Sequence, residues 1–220
     1  MAISKKPNFS SVYTKANEIL VSSNVIFTFP FSPKELVKEK SSIPCSTYAK
    51  ARSYGVDIEA LGSESAIIVE VGGRRIIFYD ESKPLPHIKY SILHEFGHDV
   101  NGHNLGTKDS DTYHRYEIET NFFAAQILMP EQVLRELGRR GVRITKRFLM
   151  EHFEVSETAA QKRIDTLAKT NAEWRSRAEK EYDDIILLKF SAFIDAICPR
   201  KDIFDYEDEY EMQRKRDQWS

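Results

Sequence analysis

Two histidines four residues apart, with a glutamate directly after the first, make His94-Glu95-Phe96-Gly97-His98 the stretch of this chain best equipped for chemistry. On an α-helix, positions i and i+4 lie one turn above each other, so both imidazoles can reach one ion while Glu95 stands beside it. Imidazole pairs of this kind suit zinc, which in catalytic sites takes three protein ligands and leaves a fourth position to water. A further His, Asp or Glu is therefore needed, and Glu117 and Glu119 are the leading candidates. They project about 160° apart on their helix, so only one can face the ion. Glu119 shares its side with Phe122, Phe123 and Gln126, and Glu117 with Ala124 and Leu128, which leaves the choice open. The chemistry implied is hydrolysis: zinc acidifies water and polarises a carbonyl, and Glu95 takes the proton and passes it to the leaving amine.

Other polar groups near the motif have weaker claims. Tyr90 lies one turn before His94, His103 follows the motif helix and His114 begins the next, so each is a candidate to donate to the oxyanion of a transition state. Surface and capping roles compete with that reading. Asp99 is a candidate acceptor for the second nitrogen of a ligand imidazole.

These groups must be positioned by surrounding elements. Residues 87–101 carry apolar side chains at helical spacing: Ile88, Ile92, Leu93, Phe96 and Val100 fall on one side and His94 and His98 roughly 180° away. One face can pack on a sheet while the other lines a cleft, and Gly97 between them permits close approach of a substrate strand or a covering helix. Before this helix, the β-branched runs 66–71 and 74–79 flank Gly72-Gly73 and predict a hairpin. Helices are expected at 11–22, at 33–54 with a break near Pro44, at 113–129 ending at Pro130, and at 131–137, 145–153 and 156–169. One long amphipathic helix is expected over 173–197, with Tyr182, Ile186, Phe190, Phe193, Ile194 and Ile197 on its stripe, followed by a poorly packed charged tail.

The hairpin, then Ser91-Ile92-Leu93-His94-Glu95-Phe96-Gly97-His98, then Glu119-Thr120-Asn121-Phe122-Phe123-Ala124-Ala125-Gln126-Ile127-Leu128-Met129-Pro130, resembles the ImmA/IrrE family of zinc metallopeptidases. That family pairs a His-Glu-x-Gly-His helix with Glu-Ala-Asn-x-Phe-Ala-Ala and a Leu-Met-Pro ending, and the likeness spans about residues 45–170. The resemblance implies one zinc ion per chain, held by His94, His98 and Glu119, with Glu95 as general base. Thr120 stands where alanine is common. The resemblance also implies an endopeptidase that cleaves one regulatory protein, a helix-turn-helix repressor of a mobile element or stress response. The fold expected is α+β: a mainly helical metallopeptidase domain, residues 1–170, with a small antiparallel β-sheet packed on the zinc-binding helix. Residues 171–220 supply the carboxy-terminal amphipathic helix and the charged tail.

Composition limits the alternatives. With 220 residues and 41% hydrophobic content the chain can bury one substantial core. Its net charge of −2, from 32 basic and 34 acidic residues interspersed, gives no field toward nucleic acid or an anionic membrane. The helix pair at 145–169 has the outline of a helix-turn-helix, but its neutral balance favours core packing, and direct nucleic-acid binding is not expected. Two cysteines far apart, Cys45 and Cys198, suggest reduced thiols, and no apolar stretch is long enough for a membrane span, so a cytoplasmic address is expected. Two rival functions are a sensor that retains zinc as a structural staple and a transcription regulator acting through residues 145–169. An intact Glu95 argues against the staple, because a closed structural site has no use for that carboxylate.

Overall fold

A computed structural model describes residues 6–62, 65–104, 106–107, 109–170, 173, 175–199 and 214–216. The chain runs through helices α1 (Phe9–Ser22) and α2 (Pro33–Ser41), strand β1 (Cys45–Thr47), short helices α3 (Tyr48–Ala51) and α4 (Ile58–Leu61), and the hairpin β2 (Ala66–Val71) and β3 (Arg74–Tyr79). Helices α5 (Leu85–Asn101), α6 (Ser110–Leu128), α7 (Glu131–Arg139), α8 (Lys146–Phe153) and α9 (Glu157–Lys169) follow. The described carboxy-terminal part holds α10 (Arg177–Lys180), α11 (Asp183–Lys189) and α12 (Ser191–Ile197). The architecture is α+β, mainly helical around a three-stranded sheet.

The hairpin forms as its sequence dictates: Gly72 and Gly73 take positive φ at the turn, and Val71 pairs with Arg74 through to Ala66 with Tyr79. The sheet is mixed rather than purely antiparallel. Residues 45–47, expected within a broken helix, instead pair in parallel with β3, in the order β1-β3-β2. Ser42 takes a left-handed φ of 58° that ends α2. Pro44 cannot continue a helix, and its carbonyl accepts a bond from the Ile77 N–H at 3.0 Å, which brings the next three residues alongside β3.

Helix α5 lies on this sheet through its apolar face: Ile92, Leu93 and Phe96 are buried with Ile68, Ile77 and Tyr79 in one core. Its opposite side is covered by α6, which runs antiparallel to it. The two helices meet at Gly97, where an added Cβ would stand 2.9 Å from the Phe123 ring and 3.4 Å from the Thr120 methyl group. Gly97 therefore serves a covering helix, not a substrate strand. Phe96 and Phe123 pack edge to face beside this contact, at 5.9 Å between centroids.

The expected helix over 173–197 is broken into three. Ser176 and Glu179 form a capping box at the start of α10, and Phe190 closes α11 and opens α12 with a φ of −98° and ψ of 13°. The stripe itself holds: Ile186, Phe190, Phe193 and Ile194 are buried. The bend lets Phe190 and Phe193 both reach Phe29, at 4.9 and 5.2 Å between centroids. These helices join the same core as α1 and α7. The charged tail beyond Pro199 lies outside the described residues, apart from residues 214–216.

Helices α8 and α9 bury Leu149, Phe153, Val155 and Ala160. The Arg163 guanidinium, 2% exposed as a residue, donates to the Met129 carbonyl at 2.9 Å and to Gln126 Oε1 at 2.5 Å. That pair of bonds fastens α9 to the carboxy-terminal end of α6.

The Gly97 contact is testable. Gly97→Val forces the Phe123 ring and Thr120 to move and should destabilise the fold by about 2 kcal/mol, the usual scale of overpacking. Denaturant unfolding of the variant against wild type measures it.

Candidate metal centre

Helix α5 presents His94 and His98 away from the sheet, with side chains 16% and 4% exposed. Their Nε2 atoms are 3.2 Å apart. Across from them stands Glu117, whose Oε2 is 3.3 Å from His94 Nε2 and whose Oε1 is 3.3 Å from His98 Nε2. The two imidazoles beside it hold the Glu117 carboxyl well below the usual carboxylate range. Among the described residues this trio is the group of His, Cys, Asp and Glu placed to hold a metal ion.

The third acidic group beside the imidazoles is thus Glu117, not Glu119 as the resemblance implied. Helix phase explains the difference. The centre of the α6 face that meets α5 is Thr120, whose Oγ1 lies 3.3 Å from His94 Nε2 and donates back to the Tyr116 and Glu117 carbonyls. At 100° per residue Glu117 falls about 60° from Thr120 and stays on this face, while Glu119 falls about 100° away on the opposite flank. Glu119 turns instead toward the loop after α5, where its Oε2 lies 2.9 Å from His103 Nε2.

The donor set suits zinc. Tetrahedral ligands about 2.0–2.1 Å from the ion stand about 3.3–3.4 Å from one another. The contacts here are of that length: the imidazole nitrogens are 3.2 Å apart, and each lies 3.3 Å from a different oxygen of the Glu117 carboxylate. Imidazole nitrogen and carboxylate oxygen are also the donor types such a site takes.

Glu95 sits at the sheet side of this group. Its Oε2 accepts the Ile68 N–H of β2 at 3.0 Å. Burial raises the Glu95 carboxyl above the ordinary carboxylate range, against the pull of His94, His98 and that backbone N–H. A carboxylate oriented by a rigid strand and made more basic by burial is equipped to accept a proton.

The other sequence candidates lie elsewhere. The Tyr90 hydroxyl donates to Asn121 Oδ1 at 2.8 Å, and burial pushes it up to about 12. His114 is exposed. Asp99 pairs with Arg75 rather than with an imidazole. His103 lies behind His98, the Nδ1 atoms 3.1 Å apart, and burial pushes its imidazole down to about 4. A residue not singled out from sequence is Tyr113, one turn before Glu117. It is 49% exposed, and burial together with the Glu117 and Glu95 charges and a hydrogen bond to Glu117 raises its phenol. Its position on the Glu117 side of α6 would have marked it, had Glu117 been chosen.

The family model of the IrrE N-terminal-like domain, a peptidase family, matches residues 51–165, just over half of the chain. A search of curated proteins found no match. Among the described residues no helix is long and apolar enough to cross a membrane.

The geometry distinguishes the two glutamates. Glu117→Ala should weaken zinc binding by more than about 100-fold, beyond the range typical of a lost outer contact. Competition against a chromophoric chelator measures it.

Proposed function

The chain belongs to the IrrE N-terminal-like domain family of peptidases, and from that membership and the geometry at His94 we propose that it is a zinc-dependent endopeptidase acting on a specific regulatory protein in the cytoplasm. The observation that carries the reading is the convergence of His94, His98 and Glu117 into one triangle, with the Glu95 carboxylate alongside. The ligands are His94, His98 and Glu117, and the general base is Glu95.

Zinc bound there supplies Lewis acidity toward water and the scissile carbonyl. Glu95 takes a proton from the attacking water and delivers it to the departing amine, held in place by the Ile68 N–H throughout. Tyr113, on the solvent side of Glu117, donates its phenol proton in a hydrogen bond to the oxyanion. Among the described residues strand β2 is an edge of the sheet, paired with β3, and its other edge faces the site beside Glu95. An extended segment of substrate can add to that edge through backbone hydrogen bonds. A cleft of about 1060 Å³, with Tyr90, Asn121, Phe122, Ala159 and Lys162 among its walls, opens one helical turn from His94 and Glu117. It gives the remainder of a folded substrate a place to dock.

The family resemblance supports a helix-turn-helix repressor as that substrate. Purified protein loaded with zinc is expected to cut the product of a neighbouring repressor gene into discrete fragments. Glu95→Gln should retain zinc and fold while losing about 10²- to 10⁴-fold in rate, the range of general acid–base catalysis. Cleavage by Glu95→Gln at the wild-type rate would refute the assignment. Tyr113→Phe is expected to lower kcat about 100-fold in the zinc-loaded enzyme, the scale of one lost oxyanion donor, with KM unchanged. Steady-state kinetics on the same substrate decides that point.

A further inference from the structure

Glu119 is 6% exposed and lies outside the metal triangle, and no step of the proposed hydrolysis uses it. An ionised carboxylate in such a position is costly unless hydrogen bonds and a compensating charge surround it. The structure supplies a continuous set of bonds. Glu119 Oε1 accepts the backbone N–H of Asn8 at 2.7 Å. Its Oε2 lies 2.9 Å from His103 Nε2, and His103 Nδ1 lies 3.1 Å from His98 Nδ1. The His103 side chain is 4% exposed, and its ring is stacked on Tyr116 at 4.0 Å and 10°. The turn that brings it there is fixed by Gly102, with a φ of 67°, and by the His103 N–H bonding the His98 carbonyl at 3.0 Å.

The polarity of this chain follows from its end. A backbone N–H can only donate, so Glu119 is the accepting end of the chain and His103 presents its N–H on Nε2. Its Nδ1 is then the acceptor of a hydrogen bond from the His98 Nδ1–H. That leaves the lone pair of His98 Nε2 pointing at Glu117 and His94, as a metal ligand requires.

We propose that His103 and Glu119 are positioning residues that fix the tautomer and ring orientation of His98 for the metal, and that the amino-terminal helix closes this relay through the Asn8 N–H. Helix α1 lies before the matched region, which begins at residue 51, so an element outside the family core completes the site's outer support. Lys15 anchors the same helix to the end of α5, donating to the Val100 carbonyl at 3.1 Å.

This inference rests on the metal-centre reading, and the test separates the two. Zinc affinity is measured by chelator competition for wild type, His103→Ala and Glu119→Gln, together with the visible spectrum of each cobalt-loaded protein and thermal unfolding of each metal-free form. Both variants are expected to weaken zinc binding about 10- to 100-fold and to shift the cobalt bands. The isosteric Glu119→Gln fills the same space and keeps an oxygen for the Asn8 N–H, so it should leave the metal-free midpoint near that of wild type and its lost affinity cannot be assigned to unfolding. Wild-type zinc binding with both variants within about twofold of it, against the tenfold or more expected of a lost outer contact, and with unshifted cobalt bands, overturns the relay alone. A wild type that takes up no zinc overturns the metal centre and the relay together.

Discussion

The close approach of α5 and α6 at Gly97 is the constraint from which the site follows. With no side chain at that position, Phe123 and Thr120 settle against the α5 backbone, and this contact fixes how α6 is rotated about its own axis. Rotation decides which acidic residue meets the imidazoles. Because Thr120 faces His94, Glu117 lies on the same face and Glu119 turns toward α1. A helix is rigid enough that one packing contact assigns a direction to each side chain along it.

The sheet contributes the second fixed direction. Ile92, Leu93 and Phe96 bury the inner face of α5 against β2 and β3, and the Ile68 N–H on the edge of β2 holds Glu95. Two rigid elements on opposite sides of α5 thus orient the two kinds of carboxylate, one beside the proposed ion and one beside the water it would activate. Burial makes Glu95 a stronger base, while the neighbouring imidazoles keep Glu117 ionised. Neighbouring carboxylates take different roles because their surroundings differ.

Parts of the chain outside the matched region are built into the same core. Helix α1 buries Val12, Ala16, Ile19 and Leu20, and α11 and α12 bury Ile186, Phe190 and Ile194, all in the cluster that includes Phe96 and Phe123. Removing the amino-terminal helix would expose the side of α6 that packs on α1, and removing α11 and α12 would uncover α7. A polar network crosses this layer as well: Gln126 joins Asn17 and Gln132, and Arg163 joins Gln126 and the Met129 carbonyl. The end of α6 is therefore held by three other helices.

Much of this was readable from residue order. The hairpin at 66–79, the two-faced helix bearing His94 and His98, the stop at Pro130 and the buried stripe at Ile186, Phe190 and Ile194 all follow from spacing, because local periodicity determines which side of an element is apolar. Three features were decided only in three dimensions. Residues 45–47 became a strand because β3 offered them a partner, and three residues are too few to show an alternation of their own. The carboxy-terminal helix is interrupted at Phe190, where both Phe190 and Phe193 pack on Phe29, and that tertiary contact is not marked in the local spacing. The choice between Glu117 and Glu119 lay beyond the sequence because helical spacing gives only the angle between two side chains, whereas the direction either one points depends on the neighbour against which the helix comes to rest.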